Sequence, residues 1–257
     1  MPEFAAYRPG QPSWVDLSSP DLDASKGFYT GLFGWEVAEQ GPEAGGYAMF
    51  TLGGRNVAGV GPIMMEGQPA AWTTYVSVED ADATIAKVKD VGGTVLVEPM
   101  DVLEVGRMAV FTDPTGAAVA IWQPRAHQGA DIANEPGSFC WNELQTRDTD
   151  GAERFYTTVF GWRASTADMK GTTYTEWKLG DATVGGMMPM PAEVPAEVPA
   201  YWLTYFAVED CDAAVGTANG LGATTLVAPM DVPPGRFSVM TDSVGAVFAV
   251  IAMNPSA

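Results

Sequence analysis

The sequence predicts an α+β protein made of two tandem copies of one domain, each copy a pair of βαβββ modules. Three observations predict it. The first is a repeat: SWVDLSSPDLDASKGFYTGLFGW at 13–35 returns as CWNELQTRDTDGAERFYTTVFGW at 140–162, 127 residues on. YVSVEDADA at 75–83 returns as YFAVEDCDA at 205–213, and PMDV at 99–102 returns at 229–232, now 130 residues apart. VGRMAVFTDPTGAAVAI at 105–121 returns as PGRFSVMTDSVGAVFAV at 234–250, 129 apart. A repeat of this length is a duplicated domain. The second observation is the hydrophobic period, which switches twice per copy between strand-like alternation and a helical stripe. The third is punctuation. The growth in spacing falls at PMPAEVPAEVP (189–199), whose prolines exclude regular helix and central strand, so it reads as a loop insertion. The polar, Gly- and Pro-broken stretch QPRAHQGADIANEPGS (123–138) reads as the connection. The expected domains are 10–124 and 137–254, with a linker over 125–136.

Within the first copy, residues 12–18 alternate as a strand. Pro20-Asp21 opens a helix whose apolar stripe includes Ala24, Phe28, Leu32 and Phe33 and which stops at Gly34. Short strands follow near 35–39, at 46–52 and at 56–64. The second module has a strand at 71–78, then a helix from Asp80 to Val91 with Ile85 and Val88 inward. Strands near 94–98, 107–112 and 116–122 complete it, the last two joined by a tight turn at Asp113-Pro114-Thr115-Gly116. The second copy repeats the pattern from Trp141 and from Trp202.

Composition narrows the function. Thirteen Lys+Arg stand against 32 Asp+Glu, a formal charge of −19, which repels nucleic acid and anionic membrane surfaces as main partners. No apolar run approaches the ~18 residues of a membrane span, and the first residues show no secretory pattern, so a cytoplasmic protein is expected. Cys140 and Cys211 form neither a CxxC pair nor a disulfide framework. There is no G-x-G-x-x-G after a strand, no phosphate-binding P-loop and no G-x-S-x-G elbow. The single histidine, His127, lies in the linker.

The FY-x-x-x-FGW helix exit in both copies, the V-x-D-x-D-A helix entry and the G-R…D-x-x-G hairpin resemble the glyoxalase/bleomycin-resistance/extradiol-dioxygenase, or vicinal oxygen chelate, superfamily. Tandem actinobacterial glyoxalase-like proteins are the most similar in layout. The resemblance implies a cup formed by two modules, holding in the enzymes a divalent metal on His, Gln or Glu side chains. By the family's spacing those positions fall here on Trp14, Thr73 and Ala120 in one copy and on Trp141, Leu203 and Ala249 in the other. None is a useful ligand of a first-row metal, so no metal and no cofactor is expected.

Strand alternation names what lines the cups instead. In the first copy Trp14, Asp16 and Ser18 share a face, as do Thr73 with Tyr75 and Ala120 with Trp122. In the second, Trp141, Glu143 and Gln145 share a face, as do Leu203 with Tyr205 and Ala249 with Ile251. Aromatics opposite alanines leave a flat slot for a planar apolar ligand. Met65 and Met188, from two methionine clusters, are candidate adaptable lining. Asp16 and Glu143 are the candidate acid/base groups, since a carboxyl on an aromatic cup is desolvated and its pKa raised. The opposing readings are structural. Trp14 and Trp141 plug the vacated metal positions, Asp16 and Glu143 lie hydrated at the rim, and Trp35, Trp162, Trp72 and Trp202 belong to the core or interface. Arg107 and Arg236, at matching places, make an internal ion pair or anchor an acidic group.

Three functions remain. The first is metal-free binding of hydrophobic or aromatic small molecules, for sequestration, antibiotic resistance or an accessory role in natural-product metabolism. The second is a cofactor-independent tailoring enzyme using a cup carboxylate. The third is a regulatory module that binds a protein partner, such as a kinase. Whether chemistry occurs stays open, and four modules in one chain are consistent with a monomer.

Overall fold

The computed structural model describes residues 7–64, 67–168, 171 and 173–254. The first copy runs β1 (Pro12–Ser19), α1 (Leu22–Phe33), β2 (Glu36–Glu39), β3 (Ala48–Leu52), β4 (Arg55–Pro62), β5 (Ala71–Ser77), α2 (Ala81–Asp90), β6 (Thr94–Val102), β7 (Gly106–Thr112) and β8 (Ala118–Pro124). The second runs β9 (Phe139–Thr146), α3 (Thr149–Phe160), β10 (Arg163–Asp168), β11 (Thr173–Leu179), β12 (Ala182–Pro189), β13 (Tyr201–Ala207), α4 (Cys211–Gly220), β14 (Thr224–Val232), β15 (Gly235–Thr241) and β16 (Val247–Met253). Each copy is one eight-stranded mixed sheet, ordered β2-β3-β4-β1-β5-β8-β7-β6 and β10-β11-β12-β9-β13-β16-β15-β14. The two modules of a copy meet where β1 pairs antiparallel with β5, and β9 with β13.

Local chemistry sets the helices. Asp21, Asp80, Asp148 and Asp210 each accept a hydrogen bond from the backbone N–H three residues on, capping all four N-termini. Gly34 and Gly161 end α1 and α3 at φ 68° and 71°, the left-handed conformation that glycine adopts without strain. One strand departs from the expected pattern. β6 continues past Pro99 to Val102 instead of stopping near 98, because it is an edge strand and its register shifts between Val97 and Met100.

The helical faces of the two sheets pack against each other, and two hydrophobic clusters each draw residues from both copies, so the core is shared. Tyr29 on α1 stacks near Trp35 and donates its hydroxyl to Asp242 Oδ2 of the other copy at 2.9 Å, while Trp72 Nε1 donates to that hydroxyl at 2.8 Å. Tyr156 on α3 repeats the arrangement with Asp113 and Trp202, both bonds at 2.9 Å. Asp113 does more than shape its hairpin. Its Oδ1 accepts from the backbone N–H of Thr115 and of Ala117, and its Oδ2 takes the tyrosine of the opposite copy. Trp35 and Trp162 cross the same boundary, donating to the carbonyls of Gly137 and Gly10 at 2.7 Å. So Trp72 and Trp202 pack on helices, and Trp35 and Trp162 on the interface between copies.

Removing either tyrosine hydroxyl strands an indole N–H and a carboxylate in the core, at ~1–3 kcal/mol for each unsatisfied group. Tyr29→Phe and Tyr156→Phe should each lower the urea midpoint clearly. Because the core is shared, unfolding should remain one transition by fluorescence and circular dichroism. An unchanged midpoint, or two separated transitions, would contradict this packing.

Candidate functional site: two carboxyl-centred cups

The faces opposite the helices carry the expected lining. In the first sheet Trp14 lies across from Tyr75, Asp16 from Thr73 and Ser18 from Ala71, and Tyr75 and Ser77 adjoin Ala120 and Trp122. Asp16 is 8% exposed at the centre of this face. Tyr75 donates its hydroxyl to Asp16 Oδ2 at 2.8 Å, and Tyr47, just before β3, donates to the same oxygen at 3.3 Å. Trp14 Nε1 donates to the Tyr47 hydroxyl at 3.0 Å. Gly59 makes room for this chain, since a side chain there would meet the Tyr47 ring.

The second sheet repeats the cluster. Glu143 accepts from the Tyr205 hydroxyl at 3.0 Å and from Gln145 Nε2 at 2.6 Å, and Trp141 Nε1 donates to the Tyr174 hydroxyl at 2.9 Å. Tyr174 also lies at hydrogen-bond reach of Glu143. Leu203 pairs with Glu143, Tyr201 with Gln145, and Ala249 with Tyr205. Met188 lies beside Gln145 and is half-buried.

Both carboxyls are buried, and Asp16 and Glu143 therefore stand inside the cups rather than at a hydrated rim. Burial pushes the Asp16 carboxyl up to about 6 against the lowering pull of its two tyrosine hydrogen bonds. Burial raises Glu143 in the same way, opposed by Tyr174, Tyr205 and Gln145. The phenols of Tyr47, Tyr75, Tyr174 and Tyr205 are raised by burial and by the neighbouring carboxylate, so they stay protonated and donate. Each cup thus holds an acid that exchanges a proton nearer neutral pH than a free carboxyl does.

Some expected lining residues sit differently. Trp122 does not wall an open slot: its ring covers Gly106, where even a Cβ would collide with it. Of the second methionine cluster only Met188 belongs to the cup, since Met187 is buried on the helix side, and Met65 lies outside the described residues. Arg107 and Arg236 make ion pairs outside the cups, with Asp82 and Asp101 and with Asp212 and Asp231. Cys140 is half-buried, and desolvation pushes its thiol up to about 12.

Three residues were not placed at the cups from the sequence. Tyr47 and Tyr174 are 127 residues apart, so the repeat spacing marks them as a pair. His127 folds back from the connection onto the first cup, its ring edge-on to Trp14 at 4.6 Å and to Trp122 at 5.7 Å. The backbone carbonyl of His127 accepts from Trp122 Nε1, and burial lowers the imidazole pKa, which keeps it neutral. Only the tertiary fold brings it there.

Comparison with known proteins agrees with this architecture. Residues 11–121 match the Glyoxalase/Bleomycin resistance protein/Dioxygenase superfamily model, and residues 141–251 match a Glyoxalase-like domain model. The chain belongs to the glyoxalase/bleomycin resistance protein/dioxygenase superfamily. It is 44% identical over 264 residues to CFP32 of Mycobacterium tuberculosis, whose name describes a glyoxylase, covering 99% of each chain. It is 40% identical over 263 residues to the anthracycline biosynthesis protein DnrV of Streptomyces peucetius, covering 96% of this chain and 95% of that one. Among solved structures, the Mn(II)-bound glyoxalase from Novosphingobium aromaticivorans superposes with a TM-score of 0.66 at 19% identity, over 95% of this chain and 82% of that one. The 2,2',3-trihydroxybiphenyl 1,2-dioxygenase from Sphingomonas wittichii strain RW1 also gives 0.66, at 13% identity over 95% and 91%. These two likenesses concern the fold.

The metal of such superfamily enzymes does not fit the residues present in this member. The register does bring the positions expected for ligands together, with Trp14 and Ala120 on either side of Tyr75. They supply an indole and a methyl group. Each cup offers one strong ligand, Asp16 or Glu143, surrounded by protonated phenols, and no three His, Cys, Asp or Glu gather at one point among the described residues.

The raised Asp16 value has a sign that can be measured. The unfolded carboxyl titrates near 3.8 and the folded one at about 6, so the fold holds the proton more tightly. The stabilisation is fully present below the unfolded value and is lost as pH rises through the folded one. At about 1.4 kcal/mol per pH unit between the two, the loss is ~3 kcal/mol. Asp16→Asn should therefore gain stability over the native chain at pH 8 and differ little at pH 4, by urea unfolding. The same pH slope in variant and native protein would contradict the assignment.

Proposed function

We propose that this superfamily member binds planar polycyclic aromatic molecules bearing oxygen at the ring edge, in a cup, without a transition metal. The observation that carries the reading is the cluster of one buried carboxyl, two phenols and one indole on the helix-free face of each sheet. The rings supply stacking surface, and the carboxyl supplies a hydrogen bond at a fixed point. As a carboxylate it accepts from a ligand hydroxyl; as an acid it donates to a carbonyl. The relationship to DnrV, named for anthracycline biosynthesis, over nearly all of both chains supports an aromatic polyketide as the ligand class. Sequestration, resistance to such a compound, or its hand-over during natural-product metabolism follow from binding alone. The charge of −19 adds a pull on cationic aromatics within about 10 Å, the range that salt leaves unscreened.

Titration of EDTA-treated protein with an anthracycline aglycone tests this. Tryptophan fluorescence should quench to saturation, equally with and without EDTA, and chromatography should recover the aglycone unchanged. Absence of saturable quenching, or quenching that returns only after Mn(II) or Zn(II) is added, would overturn the proposal. Conversion of the aglycone would replace binding with cofactor-independent catalysis, the cup carboxyl serving as acid or base.

A further inference from the structure

We infer that the first-domain cup, centred on Asp16, is the one that takes the aromatic ligand, and that the second-domain cup is filled by its own side chains. The inference rests on the binding function proposed above and assigns it to one of two similar sites.

The sheet registers allow the two cups to be compared strand by strand. Around Asp16 the neighbours on one side are Ser18 with Ala71 across from it, Thr73 across from Asp16 itself, and Gly61 beside Ser18. Around Glu143 the same places hold Gln145 with Tyr201 across from it, Leu203 across from Glu143, and Met188 beside Gln145. At the Ser18, Ala71 and Thr73 places a small side chain in the first cup matches a large one in the second, while at the fourth the ring of Tyr47 covers Gly61. Ala118, on β8 of the first sheet, is exposed to solvent, whereas Val247 at the matching place on β16 is half-buried.

The polar groups differ in the same direction. Gln145 lies on Glu143, giving it a further donor at 2.6 Å, and Glu143 is 4% exposed. In the first cup the two phenols donate to Asp16 Oδ2, and Ser18 stands where the second cup has the Gln145 amide on its carboxyl. The far end of the first cup is closed by His127 standing edge-on to Trp14 and Trp122. The first cup thus has His127, Trp14 and Trp122 at one end and Ser18, Ala71 and Thr73 around Asp16 at its mouth. The edge of a flat ring system entering past these small residues would bring a ring hydroxyl or carbonyl to Asp16.

Exchange of the mouths tests the assignment with residues that the same fold already accommodates. The first variant carries Ser18→Gln, Ala71→Tyr and Thr73→Leu; the second carries Gln145→Ser, Tyr201→Ala and Leu203→Thr. Urea midpoints establish that each is folded, and Thr73→Leu alone serves if the triple change is not. With the anthracycline aglycone as probe, calorimetry should give one site per native chain. Affinity should fall about tenfold or more, some 1.4 kcal/mol or more, when the first mouth is filled. It should stay within about twofold when the second is opened. Two sites per chain, or unchanged affinity with the first mouth filled, would overturn the assignment while leaving the binding function standing. If the native chain binds no aglycone at all, the binding function itself fails, and the assignment with it.

Discussion

The bond from Tyr29 to Asp242, mirrored by the bond from Tyr156 to Asp113, decides how the two halves of the chain are used. Each tyrosine sits on the first helix of one copy, and each aspartate organises the last hairpin of the other. A polar chain of indole, phenol and carboxylate running through a buried aromatic layer is stable only if every member keeps its partner. The two copies therefore hold one relative placement, with helices inward. The helix-free faces then point outward, and neither cup depends on the other for its walls.

Within each cup the governing term is desolvation. A lone carboxyl buried among rings would hold its proton far into the alkaline range without donors. Two tyrosines beside Asp16, and two tyrosines with a glutamine beside Glu143, moderate that cost. In the first cup the result is a group poised near neutral pH, able to meet either a donor or an acceptor. That versatility comes from the environment, and it explains how a site with no strong metal-ligand set can still recognise oxygen on an aromatic ring.

The duplication, the four modules and the cup face of each central strand were legible in the sequence. They depend on local rules: period two along a strand, aspartate caps, and glycine at a helix end. Trp14, Asp16 and Tyr75, and likewise Trp141, Glu143 and Tyr205, fall together because strands β1 and β5, and β9 and β13, pair in simple register. What the sequence concealed depends on contacts between distant segments. Asp113 and Asp242 look like turn residues, and their second oxygens reveal themselves only when the opposite helix arrives. Trp122 reads as lining, but the absence of a side chain at Gly106, on the neighbouring strand, lets its ring lie flat and close the space. His127 reads as a linker residue, although the connection doubles back over the first sheet.

The same logic accounts for the divergence of two cups that share a carboxyl, two tyrosines and a tryptophan. The shared core constrains the helix-facing residues of each central strand, since a change there disturbs both copies at once. The cup-facing residues alternate with them and touch only their own sheet. A duplicated cup can therefore lose its opening by accumulating Gln145, Met188, Tyr201 and Leu203 with no penalty to the fold, because they fill space that water or a guest would otherwise occupy. The amide of Gln145 gives the buried glutamate a further donor there, while its own Oε1 stays buried without a partner among the described residues. The other cup keeps alanine, serine and threonine at its mouth beside Asp16. A ring oxygen arriving there meets an acid that two phenols already hold in place, which ties the small residues at the mouth and the buried carboxyl behind them to a single use.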